Sequence, residues 1–95
     1  MNESRSTPSM SQKIFKMGFS VTAVSAYLLC CNLADTDTPI STKNLANVWN
    51  GARKELIGAL KQLEKSGIIQ CILTDHQENT VYKLIDAQDW NGSVP

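Results

Sequence analysis

Residues 50–67, NGARKELIGALKQLEKSG, are the stretch that most limits what this chain can fold into. Leu56, Leu60 and Leu63 fall within about 40° of one another when the stretch is wound as an α-helix. An Asn-Gly turn dipeptide stands before them and a glycine stands after them, and both are typical of helix boundaries. The spacing therefore predicts a helix over residues 52–66 that buries one leucine face.

The side of this helix opposite the leucines carries charge. It consists of four residues, which we call the lysine ridge: Lys54, Gly58, Lys61 and Lys65. Gly58 is the unexpected member, because alanine would be more stable at this position by about 1 kcal/mol. A solvated face is the commonest role of surface lysines, but it does not account for the glycine. A glycine here fits a helix that is pressed closely against a ligand.

The start of the same helix is also built from small residues. We interpret Gly51 and Ala52 as room for a phosphate group at the helix N-terminus, where anions are favoured. Arg53 lies on the shoulder of the helix. It could reach a ligand from there, or form a salt bridge with Glu55 or Asp86.

A first helix is predicted from Val21 to about Leu33, with Ser20 as its N-cap. Its apolar face should contain the side chains that recur at helical spacing: Val21, Val24, Tyr27, Leu28, Cys31 and Ala34. The stretch DTDTP then ends the helix, because a proline disfavours helical geometry in the residue before it.

A second, short helix is predicted between this break and the Asn-Gly turn. Ser41 can cap it, and Leu45 and Val48 form its apolar side. Since only a few residues separate it from the third helix, the two must meet at a sharp angle, which is a helix-turn-helix.

Two β-rich runs follow the third helix and predict a β-hairpin. They are IIQCILT and TVYKLID, on either side of the polar stretch DHQEN. Ile69, Cys71 and Leu73 alternate on the first strand, and Val81 lies on the second. The predicted fold class is mainly α with a small β-hairpin.

The length of 95 residues allows one domain. We assign residues 1–12 to a flexible polar arm, residues 13–86 to the domain, and residues 87–95 to a tail whose only anchor is Trp90. The nine basic and nine acidic side chains cancel, so the overall charge indicates no particular partner. Any electrostatic argument must rest on how the charges are arranged.

The three cysteines do not have the spacing of a metal site. Cys30 and Cys31 are adjacent and would point about 100° apart on a helix, and no CxxC pair exists. We expect reduced thiols that pack as small apolar residues, with no disulfide, no metal and no cofactor. His76 stands alone in a polar turn and no phosphate-cradling glycine motif is present, so we expect no enzymatic activity.

The apolar stretch before Cys30 could mimic a signal peptide with a lipid-modified cysteine. Leu29 occupies the position where processing of a lipid-modified cysteine needs a small residue, and the apolar run is too short to span a membrane. A cytoplasmic protein without membrane contact is expected.

The stretch from residue 19 to residue 70 resembles the helix-turn-helix domains of phage and plasmid replication proteins and of small bacterial regulators. The matching pieces are an opening S-x-x-A with YLL, then PIS with LA in the second helix, and ALKQLEKSGII at the end of the third. That ending also resembles small fimbrial-operon regulators. The resemblance covers roughly residues 19–85 and implies a winged helix-turn-helix domain, with three helices and a two-stranded wing. It further implies double-stranded DNA as ligand, with the third helix in the major groove and the hairpin near the backbone.

The chain departs from this family at the tip of the wing. Wings that touch phosphate carry Arg or Lys there, whereas this tip contains Asp75 and Glu78. Lys83 is the only cation between Ile68 and Ile85, so phosphate would repel the wing unless it is tilted away.

The residues that we predict to bind DNA lie mainly on the third helix. They are Lys43, Asn44, Arg53, Lys54, Gly58, Lys61 and Lys65. Lys43 and Asn44 would face the DNA backbone from the start of the second helix, and plain solvation is the alternative for both. Arg5, Lys13 and Lys16 form a basic arm that could track a groove or serve only as a solubilising segment.

We therefore expect a small transcription regulator of a bacterium, phage or plasmid that acts by occupying its DNA site. One copy offers about four to six phosphate contacts, too few for tight specific binding, so we expect a homodimer. Its dimer surface would be the first helix or the Trp90 tail. The alternative is a winged protein-interaction module without DNA binding, favoured by the zero net charge and the acidic wing. A replication accessory factor that needs a partner protein is a third interpretation.

Overall fold

The computed structural model describes residues 10–74 and 80–90. Within them the chain forms three helices, α1 (Val21–Asp35), α2 (Thr42–Val48) and α3 (Arg53–Lys65). Three strands complete the body: β1 (Ile40–Ser41), β2 (Ile69–Thr74) and β3 (Thr80–Leu84). Short 3-10 helices at Gln12–Lys16 and Ala87–Asp89 stand at the two ends. The predicted class, mainly α with a small β-hairpin, is confirmed in its three helices and in the antiparallel pairing of β2 with β3.

The helix boundaries follow from local capping. The Ser20 hydroxyl accepts a hydrogen bond from the Ala23 amide at 3.2 Å, and the Ser41 hydroxyl accepts one from the Asn44 amide at 3.0 Å. Both caps were predicted from the sequence. After α3, Gly67 adopts a φ of 75°, a conformation that favours glycine and ends a helix.

The sheet contains one strand more than the sequence predicts. Its order is β1-β3-β2, and β1 pairs antiparallel with β3 through Ile40 and Tyr82. The register of β2 shifts at Ile72, which lies between the paired residues Cys71 and Leu73. This irregularity breaks the predicted alternation, so Leu73 is 63% exposed although it was expected on the same face as Ile69.

The buried face of α1 differs from the prediction. Tyr27 and Cys31 are buried as expected, but Val21 is 82% exposed and Leu28 is 38% exposed. The buried set is instead Ala23, Ala26, Tyr27, Cys30, Cys31 and Leu33. Apolar and small polar residues are spread around α1 and only Asp35 is charged, so the periodicity does not single out one face.

The two ends of the described chain meet on α1. Trp90, which the sequence assigns to the tail, is buried against Tyr27, with ring centroids 5.5 Å apart and planes at 89°. Its Nε1 donates a hydrogen bond to the Ile85 carbonyl at 2.7 Å. Lys13, which the sequence assigns to a basic arm, lies 5.7 Å from the Trp90 ring and donates to the Ala87 carbonyl at 3.0 Å. The described residues from 10 to 12 and from 87 to 90 therefore belong to the packed body.

Trp90 was also one of the two surfaces expected for dimerisation. Because its ring is enclosed by its own chain, it offers no surface to a second copy. No helix in the described part of the chain is long and apolar enough to cross a bilayer.

Candidate nucleic-acid interface

The lysine ridge of α3 faces outward. The helix buries Leu56, Ala59, Leu60 and Leu63 against the body. The four ridge residues are all exposed, as predicted: Lys54, Gly58, Lys61 and Lys65. Apart from its two chain neighbours and the backbone of its own helix, a Cβ added at Gly58 would find no atom of the described residues within 4 Å. Packing within the domain therefore does not explain why a glycine stands in the middle of this helix.

The glycine before α3 has a different explanation. A Cβ at Gly51 would lie 2.8 Å from Oε1 of Glu55 and 3.2 Å from Nε1 of Trp49. That indole Nε1 donates to the Ala52 carbonyl at 3.1 Å, which fixes the turn. Gly51 is exposed, and the space beside it is occupied by the Trp49 indole and by the far end of the flexible Glu55 side chain. Ala52 is also exposed.

Charge is concentrated on α3. Four of the nine basic residues of the chain, one arginine and three lysines, lie on this helix together with two glutamates. Its net charge is therefore 4 − 2 = +2, although the chain as a whole is neutral. A neutral protein can still present a locally positive surface to an anionic ligand.

A groove runs beside the ridge, between α3 and the sheet. Arg53, Ile57, Lys61 and Glu64 line it from α3, and Thr74, Thr80 and Tyr82 line it from the strands. Arg53, the first residue of α3, is exposed and lines this groove. Burial, and then the nearby Glu64 carboxylate, raises the pKa of Tyr82 above its ordinary value of 10.0, so its hydroxyl stays neutral.

The two predicted contact residues on α2 differ in their surroundings. Lys43 is exposed. Asn44 is half-buried, and its side-chain Nδ2 donates to the Pro39 carbonyl at 2.9 Å. One of the two amide donors of Asn44 therefore stabilises the loop that enters α2.

The sequence did not identify the strand residues of the groove. Tyr82 and Thr80 reach it because β3 is the central strand of the sheet and turns one face toward α3. No sequence signal marks them, since their position depends on the pairing of β3 with the two-residue strand β1. Asp75, His76 and Glu78 of the hairpin tip, and Arg5 of the arm, lie outside the described residues.

The described residues contain no metal-binding cluster. No group of three His, Cys, Asp or Glu side chains converges among them. Cys30 and Cys31 are free thiols buried in the core, as predicted. Burial raises the pKa of Cys30 to about 12 and that of Cys31 to about 11, so both stay protonated and unreactive near neutral pH.

Comparison of the chain with models of known protein families, with curated proteins and with solved structures found no match.

Proposed function

We propose that this protein is a winged helix-turn-helix domain that binds double-stranded DNA and regulates transcription by occupying its site. The observation that carries the proposal is the lysine ridge. It is an exposed, positively charged helix face with a glycine at its centre, and no contact among the described residues explains that glycine.

The order of the elements supports the winged helix-turn-helix assignment. α2 and α3 are separated only by residues 49–52, so they form the helix-turn-helix, and β2 and β3 follow as the wing. The two-residue strand β1, between α1 and α2, attaches the wing to the helical body through β3.

The ridge has the chemistry that a major groove requires. Lysine side chains donate to phosphate oxygens and to the O6 and N7 acceptors of guanine. Lys54 and Lys61 flank Gly58, and a glycine between them lets the helix backbone approach base edges more closely than any other residue would. Lys65 and Lys43 would contact phosphates on either side, and Arg53 would reach the backbone from the groove beside α3.

The test is a DNA-binding titration at two salt concentrations. We expect the double variant Lys54→Ala/Lys61→Ala to bind at least about tenfold more weakly than the wild type and to lose about two units of salt slope. The matched control is Lys16→Ala/Lys83→Ala, which removes the same charge. Lys16 is exposed in the first 3-10 helix. Lys83 is exposed on β3, and because side chains alternate along a strand, it lies on the opposite face from its neighbours Tyr82 and Leu84.

Two outcomes would count against the proposal. If the wild type shows no salt-dependent binding to any duplex, the domain is a protein-interaction module instead. If the control pair weakens binding as much as the ridge pair does, the ridge is not the surface that contacts DNA.

A further inference from the structure

An apolar groove is lined by helix and turn residues, and no described residue of the sheet lines it. It runs between α1 and the turn that joins α2 to α3. Val21, Leu28 and Val48 line it, and these three are among the most exposed large apolar side chains of the described residues, at 82%, 38% and 50%. Trp49, half-buried, forms part of its wall. A contiguous apolar surface of this kind is typical of an interaction site.

The outer surface of α1 is almost free of charge. Its fifteen residues include one charged side chain, Asp35, and this is the last residue of the helix. By comparison, six of the thirteen residues of α3 are charged. The one carboxylate that lines the groove is Glu55, at its edge on α3. No Lys or Arg lines the groove among the described residues, so this face lacks the cations that hold DNA or anionic lipid.

We propose that a second copy of this chain covers this face, so that the protein is a symmetric dimer joined through α1. A two-fold contact places the same surface against itself, and charges on such a surface would repel their own copies. An uncharged helix face meets this requirement, whereas α3 does not. The inference deepens the proposed function, since a single copy makes few phosphate contacts for specific binding.

The location of the groove is compatible with DNA binding by both copies. The groove residues come from α1, from the end of α2, from the turn and from Glu55 of α3, and none of the four ridge residues lines it. The lysine ridge of each copy therefore stays open when the groove is covered.

Leu28 is the decisive position. It is the middle residue of α1, which runs from Val21 to Asp35, so the two Leu28 side chains meet near the two-fold axis when the helices cross at their centres. A charge at this residue would be placed next to its own copy.

The experiment measures molar mass in solution by sedimentation equilibrium at micromolar concentration. The wild type is expected to be a dimer. Leu28→Glu and Leu28→Lys are each expected to be monomers, with dimerisation weakened more than about tenfold by the buried like charges. An equimolar mixture of the two variants is expected to dimerise again, because each glutamate then faces a lysine.

A second variant keeps the test valid if the Leu28 variants fail to fold. Val21→Glu changes the most exposed residue of the groove, and a carboxylate in the first turn of a helix is favourable for folding. We expect it to fold and to weaken the dimer. A monomeric wild type, or a dimer that persists unchanged in Leu28→Glu and Val21→Glu, overturns the proposal.

The outcome is independent of DNA binding. Lys54→Ala/Lys61→Ala should remain a dimer, since neither lysine lines the groove. A wild-type dimer that binds no duplex would refute the proposed function and leave the α1 interface intact. DNA binding by a monomer would refute the interface and leave the function.

Discussion

Gly58 is a residue whose presence the fold does not explain. It lies in the interior of α3, where glycine is less stable than alanine because it loses more backbone freedom on folding. Beyond its neighbours and the backbone of α3 itself, an added methyl group would meet no atom within 4 Å in the part of the chain that the structure describes. We therefore predict that Gly58→Ala raises the free energy of unfolding by about 0.5–1 kcal/mol, measured by urea denaturation.

The control for this prediction is the other glycine near α3. Gly51→Ala should give no such gain, since its Cβ would lie 2.8 Å from the Glu55 carboxylate and 3.2 Å from the Trp49 indole. Equal stabilisation by both substitutions would mean that the geometry of the turn before α3 does not matter.

A second substitution at Gly58 distinguishes its effect on stability from its effect on DNA binding. Gly58→Gln should leave the domain folded, because the longer side chain extends into open space. It should nevertheless weaken DNA binding about tenfold or more, because it holds the helix away from the base edges. The measurement is a titration beside Gly58→Ala. Unchanged affinity in Gly58→Gln would remove the argument that α3 closely approaches a ligand.

The two adjacent buried cysteines of α1 should lower the free energy of unfolding at alkaline pH. Burial holds the pKa of Cys30 at about 12 and that of Cys31 at about 11, against 9.0 for an ordinary cysteine. Above about pH 9 the unfolded chain releases these protons while the native chain keeps them, so stability falls as the pH rises. The slope is up to about 1.4 kcal/mol per pH unit for each thiol.

Urea denaturation between pH 8 and pH 10 measures this slope, in a range where the thiols of the unfolded chain titrate while native Cys30 and Cys31 stay mostly protonated. The variant Cys30→Ala should show a shallower decline than the wild type, whatever its stability at neutral pH. A decline of the same steepness would assign the effect to other groups, such as Tyr27, whose pKa burial also raises.

At the scale of whole elements, the buried face of α3 can be predicted from its sequence, whereas the buried face of α1 cannot. The leucines and lysines of α3 alternate with a clear helical period, so both its buried face and its exposed ridge could be predicted. Apolar and small polar residues are spread around α1. Which side of α1 is buried depends on the small residues Ala23 and Ala26, which allow close packing, and such tertiary fit leaves no periodic signal.

The strand β1 could not be predicted from the sequence. Two residues are too few for any alternation to be read, and their strand conformation exists only because β3 pairs with them. Thr42, the next residue, secures this pairing. Its hydroxyl donates to the Thr80 carbonyl at 3.3 Å and accepts from the Thr80 amide at 3.1 Å.

These two hydrogen bonds join the start of α2 to the start of β3. Thr42 is buried, so Thr42→Val preserves the shape of the side chain and removes both bonds. We predict a loss of about 1–3 kcal/mol in the free energy of unfolding. Thr74→Val, at an exposed position of β2, is the control and should change stability little. Equal effects of the two substitutions would show that this link does not hold the sheet to the helices.

At the scale of the whole molecule, the body is closed by contacts between its two ends. The Trp90 ring is stacked edge to face on Tyr27 of α1 and lies beneath the Lys13 ammonium. The Tyr27 hydroxyl also accepts a hydrogen bond from the Ser11 amide at 2.9 Å. The sequence singles out Trp90 as the only anchor of the tail, but it does not identify Tyr27 and Lys13 as the partners, because these lie more than sixty positions away.

A small domain depends strongly on such contacts, since its total stability is only about 5–15 kcal/mol. We predict that Trp90→Ala lowers the free energy of unfolding by about 3–5 kcal/mol, because it opens a large cavity between the ends and α1. Trp90→Phe should cost less, since it keeps an aromatic ring on Tyr27 but loses the hydrogen bond to the Ile85 carbonyl. Circular dichroism in urea measures both variants. Wild-type stability in Trp90→Ala would mean that the segment after Ile85 is an appendage, and that α1 and the sheet hold the domain together without it.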